Sequence, residues 1–442
     1  MKIFEEFKIQ FEKPDWSHDP ELCLVDTLLE NSQELFKLLA RDITAGVKAT
    51  VFGRGDVPSV EQIARAALYK EMKKLDYRQL GYHQIDSRIC AYFLKIDPLR
   101  PYSFQMWQKY ISKISSDSLN EFMVGINKIA IDQGLETVER LRIDSTVVES
   151  NIHYPTNNSL VWDCIKESHR LLKYLSEEIS EVNYRNYQKA AKRTYYKINV
   201  TKGKKREELF VKQLVTFTKC INQVSNVVKK KPGCSVNSLA LLFQLEELLP
   251  LMEQIHDITY RKEVNKEVVP NDEKLFSIYE RHTDIIVKGG REALFGHKTN
   301  LASGSLLILA CNVEKGNPPD SKRYIGIIDQ VKENYETTPR DTVADGGYAS
   351  IANMEHARER GIQNIVFNKV VGSLKNHVSS LNMETRLKKW RSGIEAVISN
   401  LKRGFNLKRC NWKGWEHFQA KVLWSVIAYN IRVITARLIQ QV

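Results

Sequence analysis

Three acidic residues stand in settings where carboxylates could hold divalent metal ions. Asp144 lies inside the strand-like run LRIDSTVV, and Asp345 ends another short apolar run in TVADGGY. Glu395 lies on a basic helical segment, KKWRSGIEAVISNLKRGF. Two Mg²⁺ ions held by carboxylates can activate a hydroxyl group or water and stabilise the leaving oxygen of a phosphodiester. The three acids therefore predict a metal-dependent phosphoryl-transfer site.

The segment around Glu395 places basic residues beside the acid. If the segment is one helix, Arg391 and Lys402 share a narrow stripe of its surface with Glu395. Glu395 can then face metal ions while Arg391 and Lys402, with Arg403 beside it, contact phosphates. The alternative is an Arg391–Glu395 ion pair on a solvated face, which contributes only about 0.2–0.5 kcal/mol.

Residues next to the two aspartates supply further candidate contacts. Gly346 and Gly347 follow Asp345 directly and permit a turn in which the backbone approaches a substrate closely. Tyr348 comes next, where it could stack on a base or sugar or equally pack inside the protein. The segment NIHYPTNNS follows the first strand. Within it, His153 is a candidate contact to a phosphate or a flipped base, with a purely structural histidine as the alternative.

The charge balance favours a polyanionic partner. The chain of 442 residues carries a net charge of +13, and its isoelectric point is about 9.2. A surplus of this size favours nucleic acid or an acidic membrane surface. Basic residues and tyrosines alternate between 184 and 206. The candidate DNA contacts there are Lys202, Lys204, Lys205 and Arg206, with a merely solvated helix face as the alternative.

Other classes of protein fit the sequence less well. The first residues, MKIFEEFKIQFEK, mix glutamate with apolar residues and lack the apolar core of a secretory signal. The apolar run VLWSVIAYNI near the C-terminus is too short to span a bilayer. The seven cysteines are scattered and never form a CxxC pair, so neither a disulfide framework nor a zinc site is predicted. We expect a cytoplasmic protein without a membrane or small-molecule partner.

The order of elements predicts an α/β fold with a large interruption. A strand at about 140–148 precedes a long, basic, helical stretch. A hairpin centred on Ser303 follows, and then a helix, a strand ending at Asp345, a helix, a strand and two helices. Without the interruption this is the order of an RNase H-like domain, a mixed five-stranded sheet with flanking helices. The predicted regions are an N-terminal segment (1–56), an all-α DNA-binding region (57–135), the RNase H-like domain (136–157 and 291–442) and a basic helical insert (158–290).

The region 57–135 has the rhythm of a helix-turn-helix. Ser59 and Gln62 form a plausible capping box that opens a helix over VEQIARAALYKEMKKL. The next segment, LDYRQLGYHQIDSRICAYFLKI, suggests two short amphipathic helices with a break near Gly81. Such a motif can place its second helix in the major groove of DNA, but a plain helical bundle has the same pattern.

At the three acids the chain resembles the DDE transposases of bacterial insertion sequences. RIDSTVVESNIHYPTNNSL is similar to the first-aspartate block, DTVADGGYAS to the second, and RSGIEAVISNLKRG to the glutamate block. The wider glutamate signature is Tyr-x2-Arg-x3-Glu-x6-Lys. Arg391, Glu395 and Lys402 match it, whereas Lys388 stands in place of the tyrosine. The resemblance covers about residues 57–435.

This resemblance implies a reaction, a cofactor and a partner. Such an enzyme binds the terminal inverted repeats of its element, nicks each end to expose a 3′-hydroxyl and joins that end to target DNA. Asp144, Asp345 and Glu395 would hold Mg²⁺ or Mn²⁺ as two ions, and the pairing of two ends implies a homodimer on double-stranded DNA. Two other interpretations are a nuclease or resolvase that cleaves without strand transfer, and a DNA-binding regulator that uses only its N-terminal helices.

Overall fold

The structure, a computed structural model, forms two compact units. One contains residues up to 149 and from 297 onward, and the other contains residues 150–296. The boundaries predicted at 56/57 and 135/136, both inside the first unit, stay predictions. The described residues are 16–45, 57–232, 235–287, 292–368 and 374–440.

Helices and strands in the described residues have the following bounds. The α-helices are α1 (Pro20–Glu30), α2 (Glu34–Thr44), α3 (Val60–Met72), α4 (Tyr77–Asp86), α5 (Arg88–Phe93), α6 (Phe104–Ile111), α7 (Ser116–Asp132), α8 (Asn157–Glu178), α9 (Gln188–Val200), α10 (Lys204–Lys230), α11 (Val236–Thr259), α12 (Tyr324–Tyr335), α13 (Ile351–Glu359), α14 (Leu381–Arg391), α15 (Gly393–Gly404) and α16 (Trp415–Ile439). The β-strands are β1 (Arg140–Ser150), β2 (Asp284–Ile286), β3 (Leu294–Ser303), β4 (Ile308–Glu314), β5 (Asp341–Asp345), β6 (Asn364–Asn368) and β7 (Arg409–Cys410).

Five strands form a mixed sheet in the order β4-β3-β1-β5-β6. β1 is parallel to β5, with Ile143 paired with Ala344, and β5 is parallel to β6. β3 and β4 form the antiparallel hairpin expected around Ser303. β7 adds a short pairing to β1, and within the second unit β2 pairs with Leu294–Gly296, the first residues of β3. The predicted RNase H-like fold, with its helical insert after the first strand and its all-α N-terminal region, is confirmed.

The helix α16 crosses the core of the first unit. Its length and composition match those of a membrane-spanning helix, but 67% of its most apolar 18-residue window is buried inside the protein. Trp424 is fully buried and lies against Phe122 of α7, with the ring centres 6.4 Å apart. Asn430 accepts a hydrogen bond from the N–H of Ile308 and donates to the carbonyl of the same residue. α16 is therefore a core helix that also satisfies backbone groups of β4.

The N-terminal helices begin as predicted but break elsewhere. Ser59 and Gln62 form both hydrogen bonds of the capping box, which confirms the start of α3. The break near Gly81 was wrong, because α4 continues through that residue and the chain turns at Ser87, which caps α5. A methyl group on Gly81 would lie 3.6 Å from Cβ of Phe104, an ordinary contact distance, so α6 lies beside α4 at this residue.

The second unit is a helical bundle of α8, α9, α10 and α11 with its own apolar core. Phe217 on α10 and both Leu245 and Met252 on α11 are fully buried in it. α11 continues into one π-helical turn, Tyr260–Val264, and the described residues from there to 287 contain no further helix. The prediction of helix as far as 290 was wrong after this turn. Pro270 and the Asn-Asp pair that follows it favour turns over helix.

A buried cluster of charges joins α3 to α16. Glu71 accepts from Lys70 Nζ at 2.8 Å and from Lys421 Nζ at 2.5 Å, and all three side chains are at most 6% exposed. Burial acts to raise the pKa of Glu71, but the charges of Lys421 and Lys70 outweigh it and hold the pKa below its usual value. One carboxylate thus compensates two buried ammonium groups.

Glu71→Gln is expected to lower the free energy of unfolding by about 3–5 kcal/mol, because it leaves two buried charges without a carboxylate. Glu34→Gln is the matched control. The Glu34–Lys37 pair is at least 75% exposed, and its loss is expected to cost about 0–1 kcal/mol. Urea denaturation followed by circular dichroism measures both changes, and equal losses would contradict the role given to the buried cluster.

Candidate active site

The two aspartates lie next to each other where the pairing of β1 with β5 ends. Asp144 follows Ile143 in β1, and Asp345 follows Ala344 as the last residue of β5. The parallel register pairs Ile143 with Ala344, so the next residue of each strand is an aspartate. The side chain of Asp144 is 17% exposed and that of Asp345 is 46% exposed. Both carboxylates are therefore positioned by the backbone of a central pair of strands.

The guanidinium of Arg391 joins the three predicted acids. Its Nη1 donates to Asp144 Oδ2 at 3.0 Å, and its Nη2 donates to Glu395 Oε1 at 3.0 Å. The same Nη2 lies 4.0 Å from Asp345 Oδ1. The Arg391 side chain is only 6% exposed, whereas that of Glu395 is 64% exposed. The tertiary structure thus brings all three acids together around one buried arginine.

Arg391 and Glu395 belong to two helices and not to one. α14 ends at Arg391 and α15 begins at Gly393, with Ser392 between them. The N–H groups of Ser392 and Glu395 each donate to the carbonyl three residues back, a tighter turn than the α-helical four. The prediction of one continuous helix was wrong, although the Arg391–Glu395 ion pair that it allowed is present.

A buried arginine of β1 lies against this helix junction. Arg142 Nη1 donates to the carbonyl of Trp390 at 3.3 Å, and its Nε donates to Ser303 Oγ at 2.7 Å. Its guanidinium also lies over the Trp390 ring, 4.9 Å from the centre. A methyl group on Gly393 would overlap Arg142 Nη1. Arg142 thus holds the residue before Arg391, and the missing side chain of Gly393 leaves room for it.

Arg142 is the site residue that sequence reasoning missed. It lies two positions before Asp144, between the buried apolar residues Leu141 and Ile143, and it is 8% exposed. Burial lowers the pKa of this guanidinium from its usual value, while nearby Tyr429 and Glu136 act to raise it. A charged side chain needs partners when it is buried. The need of Arg142 for partners could be read from the sequence, but the sequence does not say which partners the fold provides.

Tyr348 does not reach the surface. It is 0% exposed, and its hydroxyl donates to Asn300 Oδ1 at 2.7 Å. Burial raises the pKa of Tyr348 well above its usual value, and the carboxylates of Asp320, Asp144 and Asp345 act in the same direction. The expectation that Tyr348 stacks on a base or sugar was wrong, because the 3₁₀ turn after Asp345 places the ring in the core.

The other basic candidates on α15 are further along that helix. Lys402 is half-buried, and Arg403 is exposed with its Nη2 2.5 Å from Ser399 Oγ. Both follow Glu395 by about two helical turns. Their contacts with phosphates stay predictions.

The remaining candidates belong to the second unit. His153 Nε2 lies 3.4 Å from Asp163 Oδ2, and its side chain is 53% exposed. The basic residues around the start of α10 are exposed, and their contacts with DNA, like that of His153, stay predictions. These residues are Lys202, Lys204, Lys205 and Arg206.

The carboxylates of the site are suitable ligands for Mg²⁺, but in this structure their arrangement is determined by their contacts with Arg391. Carboxylate oxygens are ligands that Mg²⁺ prefers in proteins. In the part of the chain that the structure describes, however, no group of three acidic, histidine or cysteine side chains is arranged to hold one ion. The acids contact the guanidinium instead. By their chemistry they fit a divalent metal, and the structure shows them in an arginine-bound arrangement.

Comparison with known protein families matches the part of the chain that carries most of these residues. Residues 288–431 match the family described as the transposase DDE domain, and the match includes Asp345, Arg391 and Glu395. This part of the chain is a transposase DDE domain. We found no match among curated proteins and none among solved structures.

The transposase DDE domain belongs to a family of phosphoryl-transfer enzymes, and it implies transposition activity. Asp144 lies before the matched residues, because the second unit separates β1 from the rest of the sheet in sequence. The pairing of β1 with β5 nevertheless places Asp144 beside Asp345. The candidate active site is therefore built from β1 together with the matched region.

Gly393→Ala is expected to reduce DNA cleavage by about 100-fold, because the new methyl group displaces Arg142 and moves the helix junction that carries Arg391 and Glu395. Gly326→Ala, inside α12, is the control. No atom lies within 4 Å of its new methyl group, so cleavage should be unchanged and stability unchanged or raised by up to about 1 kcal/mol.

Cleavage of labelled DNA in Mg²⁺ measures the effect of both substitutions, with circular dichroism to verify folding. Normal cleavage by a folded Gly393→Ala protein would show that the site does not depend on the contact between Arg142 and this junction.

Proposed function

We propose that this protein is the transposase of an insertion sequence, which binds the terminal inverted repeats of its element, cleaves the DNA there and transfers the strand to a target. The observation that carries the proposal is the meeting of Asp144, Asp345 and Glu395 around Arg391. All of these residues except Asp144 lie in the transposase DDE domain. Phosphoryl transfer asks a protein for positioning and charge compensation more than for covalent chemistry. Carboxylates on two paired strands and a facing helix would position the metal ions whose positive charge compensates the phosphate.

Each side chain of the site has a part in this proposal. When bound, two Mg²⁺ or Mn²⁺ ions would supply the activation of water or a 3′-hydroxyl and the stabilisation of the leaving oxygen. Asp144 and Asp345 are the ligands on the sheet, and Glu395 is the ligand on α15. Lys402 and Arg403, further along α15, bind the phosphates that flank the reacting one and so hold the DNA strand in line.

Asp144→Asn, Asp345→Asn and Glu395→Gln are each expected to reduce cleavage by about 10³-fold or more, because each removes a charged metal ligand. DNA binding in a gel-shift assay should persist in all three. Glu333→Gln, which neutralises an exposed acid of α12, is the control and should cleave normally. Full activity in any one of the three variants would remove that residue from the site.

Joined products distinguish a transposase from the other two interpretations. The assay contains the purified full chain, Mg²⁺, labelled element ends and a target plasmid. Label joined to the plasmid supports transposition. Cleaved ends without joined products would favour a nuclease or resolvase, and binding without cleavage would favour a DNA-binding regulator.

The second unit offers an exposed basic surface that supports DNA binding. Residues 182–206 contain no Asp or Glu. On α9, Lys192 Nζ lies 6.0 Å from the centre of the Tyr196 ring, which is 57% exposed. Further basic residues surround the N-terminus of α10, where positive charge is unfavourable beside the helix dipole. These charges oppose the stability of their own helix, and an anionic ligand accounts for them better. They are Lys202, Lys204, Lys205 and Arg206.

We expect weaker binding to element ends when four basic residues are changed to Gln: Lys202, Lys204, Lys205 and Arg206. The fall of log affinity with log salt should also become less steep, by roughly one unit of slope for each lost phosphate contact. The control changes Lys212, Lys219, Lys229 and Lys230 to Gln. These residues are exposed on the same helix and carry the same total charge. Fluorescence anisotropy at several salt concentrations measures both proteins. Equal slopes for the two variants would refute the assignment.

The N-terminal helices are the proposed reader of the terminal repeats. α4 exposes Tyr82 (70%) and Ile85 (54%) on the same side as Arg78. An exposed apolar and basic helix face is suited to contact with DNA. The pairing of two element ends further implies a homodimer on DNA, and the expected location is the cytoplasm.

A further inference from the structure

Arg391 has the surroundings of an internal counter-ion. Its side chain is 6% exposed, and its Nε is buried without a hydrogen-bond partner among the residues that the structure describes. Both terminal nitrogens face carboxylates: Nη1 contacts Asp144, and Nη2 contacts Glu395 with Asp345 at 4.0 Å. A guanidinium has five donors in a planar fork, which suits it to bind two carboxylates at once. Its contacts are those of a cation enclosed by acids.

The charges of the site do not balance. Asp144, Asp345 and Glu395 carry three negative charges when ionised, and Arg391 compensates one of them. The remaining two match the charge of one divalent cation. A divalent cation placed among the same carboxylates is repelled by the guanidinium, and the two cannot occupy the same positions on their oxygens.

We infer that Arg391 is a positioning residue that gathers the three metal ligands before metal binds, and that its contact with Glu395 gives way when metal binds. The inference rests on the proposed metal-dependent function. It differs from the predicted phosphate contact of Arg391, because it assigns the arginine a role in the protein without DNA.

The exposures of the side chains decide which partner moves. Arg391 is held at the end of α14, where Arg142 binds the neighbouring Trp390. Asp144 is 17% exposed and lies in a strand, so its contact with Arg391 is more buried than the contact of Glu395 with Arg391. Glu395 is 64% exposed in the first turn of α15 and can rotate into solvent or onto a metal at little cost. The exchange therefore takes place at Glu395 and the half-exposed Asp345.

Metal binding to the full chain without DNA tests the inference. Mn²⁺ affinity is measured by electron paramagnetic resonance of the free ion, and the thermal midpoint is measured in EDTA and in Mn²⁺. Arg391→Gln is expected to bind Mn²⁺ at least tenfold more tightly than the wild type, because the competing charge is gone. Its midpoint in EDTA is expected to fall, since the acids then repel each other, and Mn²⁺ should raise that midpoint more than it raises the midpoint of the wild type.

Two further variants make the outcome decisive. Arg391→Lys keeps the positive charge but loses the planar fork of donors, so an intermediate Mn²⁺ affinity is expected. This variant replaces Arg391→Gln in the test if Arg391→Gln does not fold. Arg386→Gln removes an exposed charge of the same helix and should leave both measurements unchanged. Wild-type or weaker Mn²⁺ affinity in a folded Arg391 variant would overturn the exchange alone. Absence of Mn²⁺ binding in every protein, the wild type included, would overturn the proposed metal chemistry as well.

Discussion

The attraction between one guanidinium and three carboxylates is the interaction on which the site depends. Two like charges about 5 Å apart repel each other by about 3 kcal/mol at an effective dielectric constant of about 20, and by less where water screens them. The positive charge of Arg142 in β1 is directed to Trp390 and Ser303, and the two aspartates need another one. Arg391 supplies it from the end of α14, so the sheet and the helical pair α14–α15 are joined through an ion pair as well as through apolar packing.

The position of Arg391 depends in turn on groups buried behind it. Arg142 bridges the carbonyl of Trp390 and the hydroxyl of Ser303, and so connects the helix junction to the β3–β4 hairpin. The turn of that hairpin is held by Glu136, whose carboxylate accepts from the N–H groups of Leu306 and Leu307 at 2.6 and 2.7 Å. Beneath the aspartates, Tyr348 is hydrogen-bonded to Asn300 of β3. The position of the site residues thus depends on a network of buried polar contacts inside the first unit.

Much of this architecture follows from local patterns in the chain. The alternation in β1 and the short apolar run before Asp345 predict strands, and helical spacing predicts α12, α13 and α16. The errors have physical causes. Gly81 lies inside a helix and not in a turn, since α4 is capped at Asp76 and continues through this residue. The helix predicted around Glu395 is interrupted at Ser392, next to the glycine whose missing side chain leaves room for Arg142, a contact that no periodicity within the segment can show.

The sequence by itself determined the types of element, their order and the placing of carboxylates at strand ends and on a facing helix. These properties depend on neighbours within a few turns or strand residues, and local periodicity records them. Only the tertiary structure decided that Arg391 faces the acids, that Arg142 supports it and that Tyr348 is buried. Each of these depends on which side chains meet after folding: Arg391 and Asp144 are 247 residues apart in the chain, and Arg142 and Trp390 are 248 apart. Charges can be counted in a sequence, but their partners are set by the packing that brings distant strands and helices together.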